Sequence, residues 1–443
     1  MYKKAKGLIT VCLFLLCISQ TAISQNLTLS PYSYYGPGEL QFMGNASNLA
    51  KGRVSQGIRR PYEINSLNPA SYGALKNTII EAGFAQNNGT IKNANSSIDL
   101  TTVGFSYVNF GIPISEKRGW GLSFGLAPFS SIGYNVISVD SVQQDTFNMA
   151  KTNNFFGKGG LTKFYIGMGY KIYNDSIRSL SLGVNVGYIF GNLNSTTQVL
   201  FPVNYLKFNV EEATNRYTGG LIFDYGLQFE QLLSKKSNPK KTTLVAGLTM
   251  NARTELSSTR QYVLRSLAIG GSSRSGRDTA LSTDNETGTM TLPMGLKGGL
   301  SVNYDDKFLL AADVEYTEWS AYKTTWPSSG ASGDALRNSM AFAFGGSYTQ
   351  DVNDYNNFIK RVEYRAGFRY EQSNIIINNN GVDVMGISAG LGLPMGKSRS
   401  KVNLSFEYLK RGNTSNNLVQ EDYYRFILGI TFADRWFVRY RYD

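Results

Sequence analysis

The chemistry open to this chain is narrowed first by what it lacks. It has no histidine, and its two cysteines, Cys12 and Cys17, both lie in the first 20 residues. Without imidazole, no Ser-His-Asp or Cys-His nucleophile can be assembled. A zinc site of Cys and His is excluded for the same reason. Carboxylates remain as acid–base candidates, in the pairs Asp313/Glu315 and Glu363/Glu371. Residues two apart on a strand share a face whatever they do, so that proximity is no sign of catalysis. No acidic run has calcium-loop spacing, and no Gly-rich stretch has phosphate-loop form. The reading is a protein without enzymatic activity, metal or cofactor. Two arginines suit binding better. Arg365 and Arg369 each present a guanidinium, which matches a carboxylate bidentately. Glu363 and Glu371 stand close by as local partners, so a purely structural pairing is the alternative.

The elements that must position these residues begin after an export signal. Lys3, Lys4 and Lys6 precede an apolar run from Leu8 to Ile18, followed by the small and polar Thr21-Ala22-Ile23-Ser24-Gln25. That is the layout of a secretory signal peptide over 1–25, too short for a permanent membrane anchor. Acylation at Cys17 is the lesser alternative, because bulky Leu16 precedes it. Removing the signal lowers the net charge from +12 to +9. In an exported chain, that balance suits anionic envelope lipid or plain solubility better than nucleic acid.

Beyond the signal, apolar and small or polar residues alternate. Leu180, Leu182, Val184, Val186, Tyr188 and Phe190 share one face, while Ser181, Gly183, Asn185 and Gly187 share the other. The same period of two recurs to Phe432, and it specifies half-exposed strands. Fourteen are read: 78–86, 99–112, 119–128, 161–173, 178–191, 216–232, 242–252, 290–304, 307–319, 338–350, 360–373, 381–393, 401–410 and 423–432. Their connections sort into short turns and long loops, as outer-membrane barrels require and soluble sandwiches do not. Aromatic residues gather toward the strand ends, with Trp120, Tyr170, Tyr304 and Tyr348 at one rim and Tyr188, Tyr217, Tyr316 and Tyr408 at the other. Such rings suit the two membrane interfaces. The fold class is therefore all-β: a transmembrane antiparallel β-barrel over 78–432, with 433–443 as a periplasmic tail. A fifteenth strand is the alternative for that tail, since Trp436, Val438, Tyr440 and Tyr442 alternate.

A barrel of this size has a lumen wider than its own side chains fill. Residues 26–77, polar and Gly-rich, are the natural filling, an N-terminal hatch. The segment Asn68-Pro69-Ala70 stands just before the first strand, and Ala127-Pro128-Phe129 falls in the third. With the strand number and chain length, these motifs resemble the FadL-type family of outer-membrane channels for long-chain fatty acids and aromatic hydrocarbons. The closing run Phe432 to Phe437 is similar to a branch from Bacteroidota-type envelopes. The resemblance implies that a hydrophobic ligand enters a lumen pocket, that the hatch blocks straight passage, and that the ligand leaves sideways into outer-membrane lipid at a kinked third strand. Proline cannot donate to a ladder, so Pro128 marks either such a kink or simply the strand's end. Asn68-Pro69 is either the hatch motif or an ordinary turn.

By parity the lumen face carries both signs of charge almost equally, including Lys163, Asp224, Asp313, Glu315, Glu363, Arg365, Arg369 and Glu407. A strongly ion-selective pore would show one sign. The hatch's Lys51, Arg53, Arg59 and Arg60 outnumber Glu39 and Glu63, and are expected to sit on lumen acids. In the loops, Phe155, Phe156, Phe201, Tyr205 and Phe208 could form an apolar groove that admits ligand, or could pack as ordinary loop residues. Segment 253–289 is rich in Ser, Gly and Arg and is read as a mobile loop. The leading function is passive uptake of hydrophobic small molecules. The alternatives are a non-conducting barrel subunit of an envelope secretion or adhesion assembly, with envelope proteins as partners, and a general porin, which the hatch disfavours.

Overall fold

The computed structural model describes residues 27–436, apart from 94–95, 145–146, 203–207, 235–239, 271–272, 327–335, 378, 397 and 416–417. The signal segment, Tyr205 and residues 437–443 lie outside the described residues. Fourteen antiparallel strands form the wall. They are β1 (Thr78–Lys92), β2 (Ser97–Ser115), β3 (Trp120–Gln144), β4 (Phe147–Asn174), β5 (Arg178–Leu200), β6 (Asn209–Leu232), β7 (Thr242–Asn251 and Thr254–Gly270), β8 (Ser273–Leu292 and Gly295–Tyr304), β9 (Phe308–Thr317 and Lys323–Thr324), β10 (Ser339–Thr349), β11 (Glu363–Ile377), β12 (Asn380–Pro394), β13 (Lys401–Arg411) and β14 (Gln420–Asp434). The sheet closes on itself, because β14 pairs with β1 from Gln420↔Lys92 to Asp434↔Thr78.

Alternation sets which way each side chain points. On β4, Phe164, Ile166, Met168 and Tyr170 are exposed outward, while Lys163 and Tyr165 are buried inward. This reverses a soluble core: the apolar face is turned to lipid. The ten-residue alternating segments end where the strands leave the apolar band. The strands themselves run on. Segment 253–289 is not a loose loop but a long hairpin, Arg265 pairing with Thr279 and Ser257 with Thr289. Likewise β3 and β4 pair out to Gln144↔Phe147. The sequence of these projecting parts does not sustain an apolar–polar alternation, so they carry no clear period-two signal. At the chain's other end, Ala433 and Asp434 belong to β14 and not to a tail.

The residues before β1 lie against the inward faces of strands all around the barrel. Their backbone is held by inward side chains: Tyr107 of β2 accepts from Ala46 N (3.1 Å), and Asp313 of β9 accepts from Ser55 N (2.6 Å) and Gln56 N (2.9 Å). Ser388 of β12 accepts from Gly52 N (2.8 Å), and Ser405 of β13 donates to Ala46 O (2.6 Å). A segment with little regular structure needs such partners for its buried backbone. Close seating needs room, and glycine gives it. Gly121, Gly169, Gly183 and Gly226 stand in register across β3 to β6. A Cβ on Gly183 would come within 2.3 Å of Pro69 C, and one on Gly121 within 2.1 Å of Tyr72 O.

Candidate functional site

Asn68, Pro69 and Ala70 form the start of a short 3-10 helix, Pro69–Ala74, lying on that glycine row. Asn68 caps it, its side chain accepting from Ala70 N (3.1 Å) and donating to Gln56 O (3.0 Å). All three are buried. The motif thus fixes the fold of the N-terminal segment at its seat on the wall.

Ala127, Pro128 and Phe129 mark a discontinuity in the wall. The β2–β3 ladder runs from Ser115↔Trp120 to Val108↔Leu126 and stops there. Beyond it β3 keeps β4 on its other side, through a bulge between Pro128 and Ser130, and has no further pairing with β2. Above Val108, β2 is paired only with β1. The free edge of β3 is taken instead by the N-terminal segment. Its two-residue strand Glu39–Leu40 pairs with Ser130–Ser131, Gln41 N donates to Phe129 O (2.9 Å), and Gly133 N donates to Ser33 Oγ (3.1 Å). A seam therefore exists between β2 and β3, covered from the lumen by residues 33–41.

Behind the seam lies a cavity of about 250 Å³. Ala127 and Phe129 line its near side, Leu40, Phe42, Met43 and Leu67 of the N-terminal segment its lower wall, and Ile222, Leu292 and Trp319 its far side. An apolar cluster including Ile132, Leu161, Ile189, Leu193, Leu256 and Met290 packs beside it, with Phe155 and Tyr34 against the cluster. Charged groups also reach the cavity: Arg53, Lys163, Lys297 and Arg369 against Asp224, Glu315 and Glu371. They are paired, Lys163 with Asp224 at 2.6 Å, Lys297 with Glu315 at 3.5 Å, and Arg369 with Glu315 and Glu371 at 3.2 and 3.1 Å. The fourth cation, Arg53, is paired with Glu407 outside the cavity, so every charge in the lining has a partner.

The two arginines separate. Arg369 lines the cavity. Arg365 does not, and bonds to Glu363 (2.8 Å) and Asn403 (2.8 Å). The N-terminal cations meet lumen acids as their charges lead one to expect: Arg53 reaches Glu407 through two bonds of 2.9 and 2.7 Å, Arg60 reaches Glu363 at 2.7 Å, and Arg59 reaches Glu230 at 3.3 Å. Burial pulls the Lys51 ammonium down to about 8, against the attraction of Glu63. Burial works against the Glu63 carboxylate too, but the charges of Lys51 and Arg60 outweigh it and hold it at about 2.

None of the described groove residues, Phe155, Phe156, Phe201 and Phe208, lines the cavity. Phe155 and Phe156 are consecutive on β4 and point to opposite faces, while β5 pairs Thr197 with Phe155, four residues before Phe201. Phe201 N donates to Asn209 Oδ1 (2.7 Å), and Phe208 is exposed. The cavity's far side, Ile222, Leu292 and Trp319, went unread in the sequence. Trp319 carries the one retrievable signal, an aromatic at the end of a strand.

The fold has solved counterparts. A FadL homologue from Pseudomonas aeruginosa superposes with a TM-score of 0.56 at 12% identity, covering 89% of this chain and 99% of its own. The toluene transporter TodX from P. putida gives 0.56 at 14%, covering 90% and 100%. The toluene transporter TbuX from Ralstonia pickettii gives 0.53 at 12%, covering 91% and 100%. No curated relative matches the chain. A closed fourteen-stranded wall with this superposition has the fold of the FadL-type barrels. Within that class the chain belongs to the BamG family, whose model matches residues 1–443.

Proposed function

We propose that this barrel sits in the outer membrane of a Gram-negative bacterium and takes up hydrophobic or amphiphilic small molecules without an energy source. Residues 27–77 act as the hatch, and the ligand leaves into the bilayer at the β2–β3 seam. One observation carries the reading: a cavity lined by apolar side chains and paired charges lies directly behind a gap in the strand ladder, with Ala127 and Phe129 common to both. A polar pore would have neither apolar walls nor a filled lumen. The similar structures include toluene transporters, which agrees with an apolar cargo. Arg369 is the favoured contact for a ligand carboxylate, at the expense of its bond to Glu371. Arg365 is committed to Glu363 and serves the hatch.

The test is native mass spectrometry in mild detergent, with 11-(dansylamino)undecanoic acid as probe. One probe per barrel, displaced by unlabelled fatty acid, is the expected result. A barrel that takes up no probe and carries no lipid of its own overturns the reading. Replacing Pro128 by Ala should slow release into vesicles while leaving binding intact.

A second reading has its own support. The β10–β11 turn carries a short helix, Phe358–Arg361, on which Phe358 and Ile359 are exposed with Tyr355 nearby. An apolar patch on a turn outside the lipid-facing band suits an envelope protein partner. A barrel that arrives empty and bound to other envelope proteins would favour this assembly role.

A further inference from the structure

The cavity touches the wall a second time, far from the β2–β3 seam. Three neighbouring strands break at one level: β7 at 252–253, β8 at 293–294 and β9 at 318–322. The pairs Asn251↔Gly295 and Gly295↔Thr317 run just beneath. The causes are local. Pro293 has no N–H to give, and β9 turns aside into the 3-10 turn Trp319–Ala321. The β9–β10 ladder ends at the same level, at Thr317↔Ser339. Beyond that pair, side chains join the two strands: Asn338 Oδ1 accepts from Ser320 N (3.0 Å) and Ser320 Oγ (2.7 Å), and Asn338 Nδ2 donates to Tyr316 OH (3.0 Å). All three bonds are exposed. Directly inside stand Trp319, Thr317, Ser339 and Pro293, each lining the cavity. Outside, apolar Met294 and Tyr316 are exposed, with the cations Arg253 and Lys323 exposed just beyond.

We infer that the β9–β10 corner is a second lateral portal, through which a single-chain anionic amphiphile passes from the outer leaflet into the cavity. Arg253 and Lys323 attract its head group, Met294 and Tyr316 receive its chain, Trp319 is the inner gate, and the Asn338 bonds to Ser320 and Tyr316 are the latch. The portal rests on the transport reading above. It adds a route of admission, separate from the seam of release.

The mature chain has no cysteine, so engineered pairs are unambiguous. Ser320→Cys with Asn338→Cys replaces the latch by a disulfide. Val314→Cys with Phe342→Cys, a paired position lower on the same two strands, is the control. The protein is placed in phosphatidylcholine nanodiscs and mixed with 11-(dansylamino)undecanoic acid, whose dansyl group is excited through the protein's tryptophans, with Trp319→Phe run alongside to isolate the signal from the gate. The oxidised latch pair should load at least tenfold more slowly than wild type, and thiol reductant should restore the rate. The control pair should load normally, and Asn338→Ala should load several-fold faster. An oxidised latch pair that loads at the wild-type rate to the wild-type amplitude overturns the portal alone. A wild-type protein that never gives saturable emission overturns the transport reading and the portal with it.

Discussion

At the scale of single residues, buried charge pairs hold the N-terminal segment against the wall. Arg53 and Glu407 make two bonds, and Glu407 is almost fully buried. Removing one partner of a buried pair typically costs 3–5 kcal/mol. Arg425, 3.7 Å from Glu407, takes up part of the orphaned charge. Arg53→Ala should therefore weaken hatch docking by about 3 kcal/mol, the low end of that range, seen as faster protease cleavage within 27–77. Glu63 gives a pH dependence with a definite sign. Its carboxyl stands at about 2 in the docked hatch against an ordinary 4.5. It therefore adds stability that is whole above pH 4.5 and is lost as the pH falls toward 2. Hatch protection should decline across that window, and Glu63→Gln should flatten this part of the decline. Residue types showed these cations and acids in the sequence, and charge balance foretold that they would meet. Which acid each cation takes was not legible, since Arg53 and Glu407 are 354 positions apart and only barrel register joins them.

At the scale of elements, alternation displayed the membrane-spanning part of every strand, because one face meets lipid and the other does not. It went silent where strands project into water, so the 253–289 hairpin looked like a loop. The seam was half visible. Pro128 signalled a disturbance, but the replacement of β2 by Glu39–Leu40 on the β3 edge had no signature in two residues. The bond from Gln41 N to Phe129 O is a direct handle on it. Gln41→Pro removes that donor. It should loosen the seam cover and speed probe release into vesicles several-fold, with equilibrium binding nearly unchanged. A release rate equal to wild type would mean that residues 33–41 do not gate the seam. The breaks in β7, β8 and β9 each pass for an ordinary strand end in the sequence. Only alignment of three registers makes them one feature.

At the scale of the molecule, an outer wall and an inner filling share a single chain. The fourteen strands enclose more space than their inward side chains occupy, and the N-terminal segment takes most of the remainder. Deleting residues 27–75 should convert the barrel into an open pore, read as a large rise in single-channel conductance in planar bilayers. Unchanged conductance would mean that the segment is not the barrier. The near balance of lumen charge predicts that this pore discriminates weakly between cations and anions.

The contacts of Ser30 bear on how such an object is made. Its hydroxyl bonds to Glu421, 391 positions later, and Tyr32 OH bonds to Val419 O. The start of the described chain is thus tethered to the fourteenth strand. The same last strand zips to β1 and shuts the cylinder. The leading end of the chain finds these two partners only once the trailing end has arrived, so its final docking and the closing of the wall draw on the same part of the chain. A chain shortened before β14 would lose the closure of the wall and this anchor of the N-terminal segment together.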